Sequence, residues 1–315
     1  MTQTGIAFDT RVKDHDPGPG HPEQPARFTA LMSGLERAWL LHDIMKIEVR
    51  PATEDELSLV HSREYLSLVE REVAQNRTQL STGDTALGPH SDEVAKIAAG
   101  CALSAVDAVV SGAVTNAFCA IRPPGHHASS ERGMGFCIYN NIAIASRYAQ
   151  HKYGIRRVLI VDWDVHHGNG TQDVFYEDGS VLFFSTHQSP WYPGTGSAVE
   201  RGAGDGVGKT INCPLRAGSG MTEILGAFQH ILLPAANDFK PEIIFISAGF
   251  DSRVGDPLGQ FTLTDRDFAE LTQLMTGLAA RHCEGRLVSV LEGGYNLGGL
   301  ASAGVAHVRG LLSIH

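Results

Sequence analysis

Two uninterrupted apolar runs, Val158-Leu-Ile-Val161 and Ile243-Ile-Phe-Ile246, constrain this chain more than any other feature. A strand with one face in water alternates polar and apolar side chains. A strand with no polar position needs cover on both faces, which is the habit of parallel sheets. Including these two runs, strands are predicted over 5–8, 116–121, 157–162, 181–185, 210–214, 242–248 and 286–291. Between them, helical spacing of small and apolar residues predicts helices over 92–110, 138–152, 221–237, 265–280 and 297–312. Thr264 is placed to cap the fourth of these, its hydroxyl accepting an orphan backbone N–H. Alternating strands and helices imply a parallel sheet with right-handed crossovers, in one large α/β domain or two small ones. In that architecture ligands bind where strands end and loops begin.

Composition removes several function classes. Of 315 residues, 43% are hydrophobic, enough for a large core, and 19% are charged, which argues against disorder. The formal charge of −10 disfavours nucleic acid as a partner and mildly favours cationic substrates. No apolar run is long enough to span a bilayer. Met1-Thr2-Gln3-Thr4 lacks the basic and apolar regions of a leader peptide. Cys101, Cys119, Cys137, Cys213 and Cys283 form no C-x-x-C pair, so buried reduced thiols and a cytoplasmic location are expected.

Four polar clusters follow predicted strands. Asp162-Trp-Asp164-Val-His166-His167-Gly-Asn169-Gly comes directly after 157–161. Asp164 and His166 are two residues apart, so in an extended segment they point the same way. A carboxylate and an imidazole suit a borderline metal such as zinc, although a plain hydrogen-bonded Asp–His pair fits the same spacing. Ser247-Ala-Gly-Phe-Asp251 ends a very apolar strand, where an ionised carboxylate needs a partner or a metal. A helix cap is the alternative for Asp251. With Asp164 and His166 it makes three ligands, leaving one position for water. Arg122-Pro-Pro-Gly-His126-His127-Ala sets tandem histidines in a Pro/Gly loop, where they can act as base and acid near neutral pH. They also fit a surface pair. Asp162 is a candidate partner for one far ring nitrogen. Glu292-Gly-Gly-Tyr295-Asn projects a tyrosine whose hydroxyl can donate to an oxyanion, or which simply packs. Each cluster alone is modest; together their residue types complete one mechanism.

In this order the clusters resemble the arginase/deacetylase superfamily, and within it the histone deacetylase and acetylpolyamine amidohydrolase branch. The resemblance begins at Asp14-His-Asp-Pro-Gly-Pro-Gly-His21-Pro-Glu-Gln-Pro-Ala-Arg27. It continues through Gly133-Met-Gly-Phe136-Cys, Tyr192-Pro-Gly-Thr-Gly196 and Gly255-Asp256-Pro257. It implies a single catalytic domain over 1–315, with about eight parallel strands flanked by helices on both faces. It implies a zinc-dependent deacetylase, a hydrolase that cleaves an acylated amine such as acetyl-lysine or acetylpolyamine. Asp164, His166 and Asp251 resemble its zinc ligands. His126 and His127 resemble its acid–base pair, with His127 the proton shuttle and Asp162 behind His126, and Tyr295 resembles its oxyanion donor. Phe136 and Tyr192 fall where two aromatics wall the acyl tunnel, with Gly135 and Gly294 among the substrate-binding positions. Asp84 falls near the acidic residue that holds the substrate backbone. Potassium beside the zinc would use the carbonyls of Asp162, Asp164 and His166 with Ser185 and Thr186; a second, remoter ion would use Phe175, Asp178 and Val181. Acetylpolyamine members are commonly dimers, so a homo-oligomer is among the expectations.

One departure stands out: Asn169 occupies a position where some members carry a second Asp behind the tandem histidine, and in having Asn there the chain resembles the class II and bacterial subgroup. Two rival functions remain. A binuclear manganese ureohydrolase needs further bridging carboxylates, for which His167 and Asn169 are poor substitutes. A non-catalytic acyl-amine binding module would not need His126, His127 and Tyr295. Gly202-Ala-Gly-Asp-Gly-Val-Gly208 neither follows a strand nor opens a helix, so a surface turn is expected rather than a dinucleotide loop.

Overall fold

In the computed structural model, which describes residues 3–312, the apolar runs become strands of one sheet. Met1 and Thr2, part of the leader reading, lie outside the described residues. The strands are β1 (Thr4–Ala7), β2 (Met45–Ile47), β3 (Asn116–Cys119), β4 (Val158–Asp162), β5 (Val181–Gln188), β6 (Thr210–Leu215), β7 (Ile243–Ala248) and β8 (Leu287–Leu291). They are all parallel, in the order β2-β1-β3-β8-β7-β4-β5-β6. Every residue of β3, β4, β5, β7 and β8 is buried, as continuous apolar runs demand. The edge strands β2 and β6 are partly exposed. Sequence periodicity missed β2 because three residues carry no period.

The helices are α1 (Ala26–Arg37), α2 (Glu54–Leu57), α3 (Arg63–Ala74), α4 (Ser91–Val110), α5 (Asn141–Tyr153), α6 (Asn169–Phe175), α7 (Met221–Ala227), α8 (Leu233–Phe239), α9 (Asp265–His282) and α10 (Leu297–Leu312). Helices α4 and α5 pack on each other and on β1, β3, β7 and β8, while α1, α9 and α10 form a second group touching β3 and β7. Among the described residues no helix is long and apolar enough to cross a membrane. All five cysteines are buried and unpaired, as expected. Residues 202–208 form a turn around Gly204–Gly206.

Three local expectations are corrected. The 138–152 helix starts at Asn141, because the Asn140 side chain accepts from the Ala143 N–H and fixes the first turn there. The 221–237 helix is α7 and α8 joined by a π turn at Phe228–Leu232. Pro234 has no N–H and its ring crowds the carbonyl four residues back; the wider turn relieves that clash. At α9 the roles at the cap are reversed. The Thr264 hydroxyl donates to Asp267 Oδ2 (2.9 Å), which also accepts from the Thr264 N–H (2.7 Å). A carboxylate is the stronger acceptor, so the hydroxyl turns toward it.

Close approach decides what glycine does inside the helices. A Cβ at Gly100 in α4 would sit 1.8 Å from the Arg50 carbonyl oxygen, whereas one at Gly277 in α9 would meet nothing within 4 Å. Gly277→Ala should therefore stabilise the fold by about 0.4–1 kcal/mol, and Gly100→Ala should destabilise it. Paired denaturant melts will show the opposite signs; equal signs would contradict this packing.

Candidate functional site

The strand order creates a switch point. From β4 the chain winds outward to β5 and β6; from β7 it winds the other way to β8. The two strands are neighbours, with Asp162 opposite Ser247, so their carboxyl ends open onto one crevice. The loop after β4 brings Asp164 and His166 to that crevice, and the loop after β7 brings Asp251. All three are buried, with one ligand atom from each lying within 4.8 Å of the others.

His166 Nδ1 is 3.0 Å from Asp164 Oδ1 and 3.2 Å from Asp251 Oδ2. Two ligands about 2.0–2.1 Å from a tetrahedral zinc lie roughly 3.3 Å apart, so these spacings fit one ion. The remaining carboxylate oxygens are occupied by backbone: Asp251 Oδ1 accepts from the Val165 N–H (2.9 Å) and Asp164 Oδ2 from the Gly293 N–H (2.8 Å). Asp251 Oδ2 is buried with no hydrogen-bond partner of good geometry among the described residues. Burial and the neighbouring Asp164 push the Asp251 carboxyl up to about 7. Two buried acids competing for one imidazole are a donor set that a divalent cation would relieve.

The tandem histidines take opposite characters. His126 Nδ1 donates to Asp162 Oδ2 at 2.9 Å. Burial favours the neutral ring, but Asp162 and Asp164 overcome it and hold the His126 imidazole well above the usual range. His127 Nδ1 lies 2.8 Å from the amide oxygen of Asn169, an acceptor, so Nδ1 carries the proton and Nε2 is left as a base. Burial, with His126 and His166 nearby, pulls His127 well below the usual range. Asp162 and Asn169 each stand behind one of the two histidines. Burial holds the Tyr295 phenol well above its usual range and so protonated, with Arg27 working against it.

Sequence reasoning missed what holds these loops. Glu292 is fully buried, accepts from the Gly125 N–H (2.6 Å) and the His126 N–H (3.1 Å), and so fixes the histidine loop. Arg27, also fully buried, donates to the carbonyls of Gly294 (2.7 Å) and Glu292 (2.5 Å) and to Glu23 (3.1 Å). Its guanidinium lies 4.8 Å from the Tyr295 ring centroid. Both residues sit inside motifs visible in the sequence; the available signal was a charged residue close to Pro or Gly, directly after β8 for Glu292 and at the start of α1 for Arg27.

A cavity of about 250 Å³ opens onto the cluster, lined by His127, His166 and Tyr295 at its base. Its walls are Phe136, Tyr192, Gly135, Asp84, Trp191 and Leu258. Tyr192 packs edge-on to His127 and Phe136 edge-on to Tyr295. Gly135 has φ +56, and a Cβ there would fall 2.3 Å from His127 Cδ2. Asp84 Oδ1 accepts from the Gly135 N–H (2.7 Å) and the Tyr192 hydroxyl (3.2 Å). Gly294 is the exception: it does not line the cavity, because its carbonyl is turned to Arg27. Trp191 and Leu258 were not anticipated, since nothing local marks a rim residue. His126 and Asp162 lie behind the lining, not in it.

For the expected cations, Ser185 pairs with Asp162 across β4 and β5, and its hydroxyl contacts His187 Nδ1 at 2.9 Å. The buried Thr186 hydroxyl finds no partner among the described residues. Farther off, Phe175 ends α6, Val181 begins β5, and the Asp178 carboxylate is taken by Arg147 and Ser180.

Known proteins share this arrangement at the level of the whole chain. A model of the histone deacetylase domain matches residues 21–311. Polyamine deacetylase HDAC10 of Mus musculus is 44% identical over 302 residues, covering 92% of this chain and 45% of that protein. A probable deacetylase of Archaeoglobus fulgidus is 41% identical over 298 residues, covering 94% of this chain and 82% of that protein. The crystal structure of an HDA15 HD domain superposes with a TM-score of 0.94 at 38% identity, covering 99% of this chain and 90% of that one. The chain spans under half the length of the mouse and human HDAC10 proteins it matches.

A Cβ at Gly293 would lie 2.0 Å from Asp251 Oδ2 and 2.5 Å from Asp164 Oδ2. Gly293→Ala should displace both carboxylates and reduce metal retained after dialysis, measured by elemental analysis. An undiminished complement would contradict these side chains as the ligand set.

Proposed function

The chain belongs to the histone deacetylase family, and from that premise we propose that it is a zinc-dependent amidohydrolase that removes the acyl group from an acylated amine. One arrangement carries the assignment: Asp164, His166 and Asp251 converge within 4.8 Å beside a cavity that His127 and Tyr295 also line. These three residues would hold the ion. A bound zinc would supply Lewis acidity, polarising the amide carbonyl and lowering the pKa of water from 15.7 to about 7 in favourable cases.

The chain's own groups do the rest. Phe136 and Tyr192 bracket the acyl-bearing arm and exclude water from it. His127, neutral and with Nε2 free, accepts the proton of the attacking water. Tyr295, kept as the phenol, donates to the oxygen that gains charge as the carbonyl becomes tetrahedral. His126, held cationic by Asp162, disfavours a second charge on His127, so the proton His127 gains is passed readily to the departing amine. The products are a carboxylate and a free amine.

Asp84 is proposed to hold the substrate at the mouth. Potassium at the carbonyls of Asp162, Asp164 and His166 with Ser185 and Thr186 is proposed as well, supported by the unpartnered Thr186 hydroxyl. The ureohydrolase alternative is disfavoured because its extra ligands are engaged: His167 bonds Thr195 and Gln172, and Asn169 bonds His127. Acetyl-lysine and acetylpolyamines both match this centre. Comparing their turnover assigns the substrate class.

Tyr295→Phe should retain its metal and lose roughly 10²–10³ in kcat on a fluorogenic acetyl-lysine peptide or on acetylspermidine, whichever the wild type turns over. Full turnover by the metal-replete variant would remove Tyr295 from the mechanism.

A further inference from the structure

One carboxylate joins the mouth of the cavity to the backbone of its base. Asp256 is buried. Its Oδ1 accepts from the Leu258 N–H at 2.9 Å; its Oδ2 accepts from the N–H groups of Tyr295 (2.7 Å) and Asn296 (3.0 Å). The Leu258 carbonyl in turn accepts from the Trp191 indole N–H at 2.8 Å. Leu258, Trp191 and Tyr295 all line the cavity. A second tie runs alongside, from the Asn296 side-chain amide to the Gly255 carbonyl (2.9 Å).

Three N–H donors converge on one side chain, which only a group with two accepting oxygens and no donor can satisfy. The Oδ1 bond is a local turn that fixes Leu258 two residues on, and with it the carbonyl that holds Trp191; the Oδ2 bonds cross to the loop after β8. Trp191 is 38% exposed yet pinned by its ring nitrogen, so it presents a fixed aromatic face at the mouth. Such a face stacks on flat groups and attracts cations.

We propose that Asp256 is a positioning residue that sets the reach of the Tyr295 hydroxyl with one oxygen and, through Leu258, the orientation of Trp191 with the other. Trp191 is then a specificity-determining residue that reads the flat or cationic group next to the acylated amine. This rests on the deacetylase reading for its substrate, and on geometry alone for the coupling.

The two oxygens predict a split. Asp256→Asn keeps one accepting oxygen, which settles where two donors wait, at Tyr295 and Asn296. The rim loosens: KM for a coumarin-flanked acetyl-lysine peptide should rise roughly threefold to tenfold, the worth of one hydrogen bond, with kcat within about twofold. Trp191→Phe keeps a ring but loses the N–H, and should raise KM similarly. The double variant should be no worse than either single one, because both cut the same connection. Asp256→Ala should also lose kcat, on the order of tenfold to a hundredfold. Strictly additive KM effects, or an Asp256→Ala protein with wild-type kcat, would overturn the proposal.

A second measurement does not depend on turnover. Acrylamide quenching of the Trp191 signal, isolated by subtracting Trp191→Phe, should increase in Asp256→Asn; unchanged quenching refutes the coupling. An inactive wild-type protein would sink the deacetylase reading, and quenching would still decide this one.

Discussion

Everything at the crevice depends on placing two carboxylates and an imidazole out of water and close together. Asp164 and Asp251 are fully buried, and an isolated ionised acid in such surroundings is among the most costly groups a fold can hold. The fold tolerates them because each spare oxygen accepts a backbone N–H, from Val165 and from Gly293, while the other points to His166. The glycine at 293 is part of the same solution, since any side chain there would occupy the oxygens' space. A cation bound there would supply the charge that the set otherwise lacks.

Around that centre runs a second, permanently paired layer. Glu23 receives both Arg27 and Arg122, and all three are fully buried. Arg122 also donates to the carbonyls of Val12 and His15, and Arg27 to those of Glu292 and Gly294. Removing one member of such a buried pair typically costs about 3–5 kcal/mol, because a charge is left alone. Four loops from distant parts of the chain are thereby fixed to one another. The tandem-histidine loop inherits its geometry from them through Glu292.

Much of this was legible in the sequence, for definite reasons. β4 and β7 could be read because a both-faces-buried strand has no polar position, and the clusters after them could be read because polar residues are conspicuous beside such runs. Local pattern offered Asp162 only as a partner for one of the two histidines; its place behind His126, and that of Asn169 behind the pair, came from the family resemblance. What stayed hidden is what distance in the chain conceals. Trp191 and Leu258 become rim residues only when the loops after β5 and β7 meet. The resemblance put Gly294 among the substrate-binding positions, but its carbonyl is claimed by Arg27, 267 positions earlier. The cap at Thr264 and the π turn before Pro234 depend on which of two local contacts wins, which residue type alone does not decide.

The edge strand β6 carries a proline, Pro214, opposite His187 of β5. At the other border β2 is only three residues long. A border that is short, or that lacks a donor at one rung, gives a foreign strand little to zip onto. A sheet as apolar as this one would otherwise invite edge-to-edge growth into fibres. Its two margins are built to end such growth despite so greasy a centre.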